Sequence, residues 1–289
     1  MRIASNKVKD LLSFFHSELT HLYATSEIDE LAFRVFEHYL GFKREDLNSK
    51  LEENINQSEL ILIYDAAKKL ANAEPLQYVL GESYFYKFPF YVTKHVLVPR
   101  PETEELVEMI YKENKNTSPH ILDLGTGSGC IPVSLKCLIP NAKVDACDIS
   151  DDALSVAKRN AELNKAEVFF FKADVLNLQA SLPKYDIIVS NPPYIKHSES
   201  DQIHDNVKKH EPHLALFVDG EDPVIFYKKI IDLTVMHLNP NGKLYFELNP
   251  LTAEEVKAYA LSKGVLKDVQ LLKDLSGNVR FLKAIRLSY

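Results

Sequence analysis

The sequence is short of cysteine, of long apolar runs and of basic residues, and each shortage removes a class of function. The three cysteines, Cys130, Cys137 and Cys147, are odd in number and show no Cys-x-x-Cys spacing. That argues against a disulfide framework and against zinc; buried thiols are the plain reading and no metal is expected. No apolar stretch approaches the roughly 18–20 residues needed to cross a bilayer. The amino-terminal MRIASNKVKDLLSFF has no small-residue cleavage site and reads as free of a signal peptide. A cytoplasmic protein with no membrane attachment is expected. Basic residues number 34 against 41 acidic, for a net charge of −7. Proteins that grip duplex nucleic acid through its phosphates carry a basic surplus or stripe. No direct nucleic-acid contact is therefore expected, and Lys68-Lys69 and Lys208-Lys209-His210 read as solvated helix faces. Internal repeats and low-complexity tracts are also lacking.

What is present is an ordinary globular composition, 46% hydrophobic and 26% charged over 289 residues, enough for one or two domains with a sizeable core. Residues 1–82 read as a small helical domain. Val8, Leu11, Leu12, Phe15, Leu19 and Leu22 form one stripe at helical spacing. Ser26 with Asp29 reads as the cap of a second helix carrying Ile28, Leu31, Ala32, Val35, Phe36 and Tyr39. A third helix starts near Ser58. Between Tyr84 and Val98 aromatic and β-branched residues predict a hairpin turning near Lys87 to Pro89, so 83–100 reads as a β-hairpin linker. Pro101 can open the helix that follows.

Residues 101–289 alternate strand-like and helical runs. The strand-like runs are 121–124, 144–147, 168–171, 187–190, 244–248, 269–272 and 279–285. This pattern predicts an α/β fold: a Rossmann-like, doubly wound, mostly parallel seven-stranded sheet. The last two runs leave no room for a crossover helix, so the final strand is expected to be antiparallel.

Two segments carry ligand chemistry. A buried strand from Ile121 runs into Gly125, Thr126, Gly127, Ser128 and Gly129, a turn that lets the backbone approach a ligand at the carboxyl end of the sheet. The spacing is Gly-x-Gly-x-Gly, not the Gly-x-Gly-x-x-Gly of dinucleotide binding, and no Lys-Ser/Thr pair makes a phosphate loop. Asp148 ends the next strand, where a carboxylate can accept from both hydroxyls of a ribose. Nicotinamide and adenosylmethionine proteins share that device, so Asp148 alone does not separate them. Asp174 could reach an adenine amino group, with Val175 packing on the ring. The second segment is a hydrophobic strand ending in Asn191-Pro192-Pro193-Tyr194. Two prolines offer only acceptors; Asn191 adds a side-chain carbonyl, and Tyr194 a flat face. Together they describe a clamp for an NH2 group on a planar system. The lone pair of such a nitrogen is delocalised, so fixing both hydrogens orients it for attack on a methyl sulfonium.

The glycine turn, Asp148 and Asn191-Pro-Pro-Tyr194, in this order, resemble the amino-nitrogen methyltransferases, which act on adenine N6 or glutamine N5. Further segments resemble the release factor glutamine methyltransferases: Glu74-Pro-Leu-Gln-Tyr78 with Gly81, Leu97-Val-Pro-Arg100-Pro-Glu102-Thr103-Glu104, Glu211-Pro212, Phe246-Glu247, and Asp274-Leu-Ser-Gly277 with Arg280. The resemblance covers essentially the whole chain. It implies S-adenosylmethionine as methyl donor, S-adenosylhomocysteine as product, and the Gly-Gly-Gln glutamine of a class I release factor as substrate. It implies that residues 125–129, Asp148 and Asn191 line the cofactor site. Asn191, Pro192, Pro193 and Tyr194 would bind the amide, with Asn191, Pro192 and Tyr194 catalytic. The small helical domain would then recognise the substrate. An adenine-N6 methyltransferase is the alternative of the same chemistry. Arg100, Glu102 and Thr103 match the family without an independent role. Three departures lie outside the reactive motif. Leu248, Asn249 and Thr252 follow Glu247 where Ile-Gly and a later Gln are usual, Ala73 replaces a common glycine, and Val175 replaces an occasional aromatic.

Overall fold

The computed structural model describes residues 5–178, 182–196, 205–218 and 220–288. The chain divides into two compact units, Met1–Gly81 with His204–His210, and Glu82–Ile203 with Glu211–Tyr289.

The first unit contains α1 (Val8–Leu19), α2 (Thr25–Leu40), α3 (Gln57–Ala71) and α4 (Leu76–Leu80). Val8, Leu11, Phe15 and Leu19 of the predicted stripe are buried with Ile28, Phe36, Ile63 and Leu70. Leu22 lies beyond the end of α1 and is exposed, while Phe14 is buried instead and stacks on Tyr64 at 5.1 Å. Ser26 does not cap α2. The helix begins at Thr25 after an extended Ala24, and Tyr23 and Ile28, at the two positions of a hydrophobic staple, both join the core. The side-chain cap lies on α3 instead: Asn56 accepts from the Glu59 N–H, and Glu59 accepts in return from the Asn56 N–H. That helix ends with Ala73 in the left-handed region at φ 60° and the Glu74 N–H donating to the Lys69 carbonyl.

The second unit opens with a hairpin of β1 (Glu82–Phe85) and β2 (Phe88–Tyr91), in which Phe85 pairs with Phe88. The turn is therefore Tyr86-Lys87, and Pro89 lies within β2 opposite Tyr84. A two-stranded ribbon leaves every other N–H unpaired, so proline is tolerated there. Then follow α5 (Pro101–Asn114), β3 (His120–Leu124), α6 (Cys130–Leu138), β4 (Lys143–Asp148), α7 (Asp151–Leu163), β5 (Phe169–Lys172), β6 (Tyr185–Ser190) and β7 (Ile195–Lys196). After α8 (Asp205–His210), which groups with the first unit, come α9 (His213–Leu216), β8 (Phe217–Val218), α10 (Ile225–His237), β9 (Leu238–Glu247), α11 (Ala253–Ser262), β10 (Leu266–Lys273) and β11 (Val279–Arg286). The main sheet has the order β10-β11-β9-β6-β3-β4-β5. Strands β9, β6, β3, β4 and β5 run parallel, and β11 is antiparallel to both of its neighbours. The doubly wound sheet with an antiparallel last strand is the architecture the sequence pattern predicts.

Period-two alternation splits the core into two layers. Leu122, Ile188, Phe246 and Leu282 face Tyr227, Ile230 and Val256 of α10 and α11. Ile121, Ile187, Tyr245 and Phe281 face Leu106 and Ile131 of α5 and α6, together with Phe85 and Phe90 of the hairpin. Among the described residues no helix is long and apolar enough to cross a membrane.

Ala73 supplies a test of the first unit. A left-handed conformation costs a non-glycine residue about 1–2 kcal/mol, part of which glycine's larger unfolded-state entropy cancels. Ala73→Gly is expected to raise the unfolding free energy by about 1 kcal/mol. A urea midpoint moving upward checks this, and a downward shift contradicts it.

Candidate active site

The site lies at the carboxyl ends of β3, β4 and β6. Leu124 pairs with Cys147 on one side and with Ser190 on the other, and the Ser190 hydroxyl donates to the Leu124 carbonyl at 2.6 Å. The glycine turn, Asp148 and Asn191 thus leave the sheet side by side. Gly125 and Thr126 donate their N–H groups to the Cys147 carbonyl at 3.0 and 2.9 Å. Gly125, Gly127 and Gly129 have φ of 77°, 53° and 78°, and a Cβ on Gly129 would lie 3.1 Å from the Cβ of Ala157. Asn160 of α7 holds this turn to the hairpin: its amide donates to the Ser128 and Tyr91 carbonyls at 2.8 and 2.9 Å, and its oxygen accepts from the Tyr91 N–H at 2.6 Å.

Beside the turn is a cavity of about 400 Å³. Of the residues singled out in the sequence, Gly125, Thr126, Gly127, Ser128, Asp148, Asp174, Val175, Asn191, Pro192 and Pro193 line it. Gly129 sits just behind, as the residue before α6. Tyr194 is not a lining residue; its ring packs against the apolar layer over α10, and burial pushes its pKa up to about 12.

The two Asp148 oxygens accept from the Ser150 N–H and the Gly127 N–H, both at 2.9 Å. Each oxygen retains a further lone pair for a hydroxyl donor. Burial raises the Asp148 pKa, and these backbone N–H groups oppose the rise. Ser150 caps α7 through the Ala153 N–H, so Asp148 is not spent as that helix's cap. Asp174 accepts from the Leu176 N–H at 2.9 Å and from the Asn177 amide at 2.7 Å; its carboxylate holds the short turn that carries Val175.

Three features were given no role by the sequence motifs. Asp123 of β3 is fully buried, and among the described residues neither of its oxygens, nor the Thr126 hydroxyl, has a hydrogen-bond partner in good geometry. Burial pushes its pKa up to about 7, and Asp148 adds to the rise. An ionisable residue in an otherwise apolar strand, Ile121-Leu-Asp-Leu, was the available signal. Second, Thr103 donates to Glu247 at 2.7 Å, and the Asn191 amide donates to Thr103 at 3.4 Å. Third, Arg100 lines the cavity and pairs at 2.5 Å with Glu211, whose side chain is 1% exposed; this pair holds the chain that brings Pro212 and Leu214 to the cavity wall.

Unsatisfied buried acceptors beneath an open glycine turn, beside a strand-end carboxylate, fit a cationic ligand rich in donors. Comparison with known proteins agrees. The family model of the methyltransferase small domain matches residues 101–221, and that of the PrmC N-terminal domain matches residues 10–81. The release factor glutamine methyltransferase of Flavobacterium psychrophilum is 41% identical over 280 residues, 96% of this chain and 98% of that protein. The one from Bacteroides thetaiotaomicron is 38% identical over 277 residues, 96% and 99% of the two chains. The chain belongs to the release factor glutamine methyltransferase family. It is an S-adenosylmethionine-dependent methyltransferase. A solved 16S rRNA N2 G1207 methyltransferase from T. thermophilus, 18% identical with a TM-score of 0.51, covers 72% of this chain and 50% of its own and shares the fold.

Asp148 lines the cavity with acceptor capacity to spare beyond its two backbone N–H partners. Asp148→Ala is expected to weaken S-adenosylhomocysteine binding by about 1–3 kcal/mol. Calorimetry checks it; unchanged affinity would remove Asp148 from the cofactor site.

Proposed function

We propose that this enzyme methylates the side-chain amide nitrogen of the Gly-Gly-Gln glutamine in a class I release factor, in the cytoplasm and on the protein itself, without gripping nucleic acid. The observation that carries the reading is the placement of Asn191, Pro192 and Pro193 at one cavity with the glycine turn and Asp148. The family's named members support the same substrate, and the net charge of −7 favours a protein over a phosphate backbone.

The bound cofactor supplies an electrophilic methyl on a cationic sulfonium. Residues 125–129 and Asp148 would hold it, with Asp174 and Val175 at the adenine. Asn191 Oδ1 and the Pro192 carbonyl accept the two amide hydrogens of the glutamine and so fix the nitrogen's direction of attack. The same acceptors stabilise positive charge as it grows on that nitrogen. A methylated, cationic amide nitrogen is strongly acidic, so its proton departs to water without a dedicated base. Tyr194 supports the segment from behind by packing.

Asn191→Ala removes one acceptor. Single-turnover rates at saturating cofactor are expected to fall by about 10²–10³-fold, with cofactor affinity changed far less. Methyl transfer at the parental rate would refute the clamp.

The helical unit of residues 1–81 carries no cofactor motif, and we assign it to recognition of the release factor. A chain beginning at Glu82 is expected to keep S-adenosylhomocysteine affinity and to lose methylation of intact release factor. Full activity of that shortened chain on the whole substrate would overturn the assignment.

A further inference from the structure

The clamp works only if Asn191 presents oxygen, not nitrogen, to the substrate amide. The two ends of a carboxamide have nearly the same shape, so the choice must be fixed by what lies behind it. Thr103 of α5, 3% exposed, has a single hydroxyl proton, which it donates to Glu247 Oε2 at 2.7 Å. An ionised carboxylate has no proton to return. Toward Asn191, Thr103 Oγ1 is then an acceptor only, and Asn191 Nδ2 donates to it at 3.4 Å. The amide nitrogen is held against Thr103 and beside the Glu247 carboxylate, whose pKa Asn191 lowers by hydrogen bonding, and the oxygen is left for the substrate.

We propose that Glu247 and Thr103 are positioning residues that fix the orientation of the Asn191 amide through a one-way chain of hydrogen bonds. The proposal rests on the clamp reading and deepens it. The geometry suits the task. Glu247 is the last residue of a central strand, 2% exposed, and its backbone carbonyl is taken by the Tyr227 hydroxyl at 3.1 Å. Its carboxylate is faced by Thr103 and Glu102 of α5, Asn191 and Tyr194 after β6, Tyr227 of α10, Cys130 of α6 and Arg280 of β11.

The chain predicts a direction with pH. Burial drives the Glu247 pKa up to about 7; Thr103, Arg280 and Asn191 oppose the rise, and Glu102 adds to it. A protonated Glu247 can itself donate to Thr103. The Thr103 proton is then free to meet Asn191 Oδ1, and the amide can turn over. The rate is therefore full above the Glu247 titration and falls as pH drops through it.

The test is single-turnover methylation of release factor against pH, with S-adenosylhomocysteine affinity as the check on folding. Thr103→Val is expected to slow transfer by about 10²-fold with cofactor affinity unchanged, the scale of a misaligned reactive group. Thr103→Ser, which keeps the hydroxyl, restores most of the rate. Glu247→Gln is slow and flat across the acid range, because its amide can donate at any pH. A Thr103→Val enzyme at the parental rate overturns the proposal while Asn191→Ala remains slow and the clamp stands. An acid limb that persists in Glu247→Gln overturns it too, as does Thr103→Val losing rate and cofactor affinity together with no rescue by serine. If Asn191→Ala is itself as fast as the parent, the clamp reading falls, and this inference falls with it.

Discussion

Everything at the site depends on the register that sets Leu124 of β3 against Ser190 of β6. The two strands are far apart in sequence, and a parallel pairing is needed to end them level. A register shift of one residue would flip every side chain of β6 to the other layer, burying Ile187 where Ile188 belongs. Because the layers pack different helices, that slip is strongly disfavoured. The hydroxyl of Ser190, bonded to the Leu124 carbonyl, closes the sheet at the point where both chains leave it. The glycine turn and the Asn-Pro-Pro segment therefore emerge as neighbours through ordinary core packing, and the chemistry inherits its alignment from the sheet.

The same region concentrates carboxylates in poor solvent. Asp123 and Glu247 are buried and Asp148 is largely so, and burial is the leading cause that raises the pKa of each. Such groups are costly unless they are neutralised, paired or given a cationic ligand. Glu247 has Thr103 and lies near Arg280; Asp148 has two backbone N–H groups; Asp123 has none in good geometry among the described residues. Of the three, Asp148 lines the cavity, where a carboxylate suits a cationic, donor-rich ligand.

What the sequence made legible was local. The strand, turn and helix around Gly125 to Gly129, the strand-end Asp148 and Asn191 before two donor-free prolines are each contiguous, and their chemistry follows from neighbours in the chain. The sheet was legible for the same reason, since seven hydrophobic runs and their spacing specify the topology up to strand order. The links between Thr103 and Glu247, 144 residues apart, and between Arg100 and Glu211, 111 apart, have no local signature. Only folding brings those partners together. Errors at the level of elements had local causes that competed with the rule applied: an apolar staple overrode Ser26 as a cap, and an unpaired edge admitted Pro89 into a strand. Tyr194 offered a flat ring on paper, but the ring packs on the apolar layer that includes α10 and does not line the cavity.

The departures from the family pattern can be read through the same geometry. Pro192 and Pro193 donate nothing, so the reactive segment cannot brace itself from within. It is held at its ends, by β6 before it and by the short parallel pairing of Ile195–Lys196 with Phe217–Val218 after it. Between those ends the Asn249 side-chain amide donates to the Tyr194 carbonyl at 3.3 Å, and its oxygen accepts from the Leu251 N–H at 3.0 Å. The resemblance noted in the sequence puts a glycine at this position, and a glycine could make neither bond. Asn249 thus adds a brace from just past the end of β9 to the stretch that contains the two donor-free prolines. Glu247, two residues earlier and the last of that strand, reaches Asn191 both through Thr103 and by its own hydrogen bond. Both ends of the Asn191–Tyr194 tetrapeptide are in this way referenced to β9, and a displacement of that strand's end would move the acceptor side chain and the backbone behind it as one body.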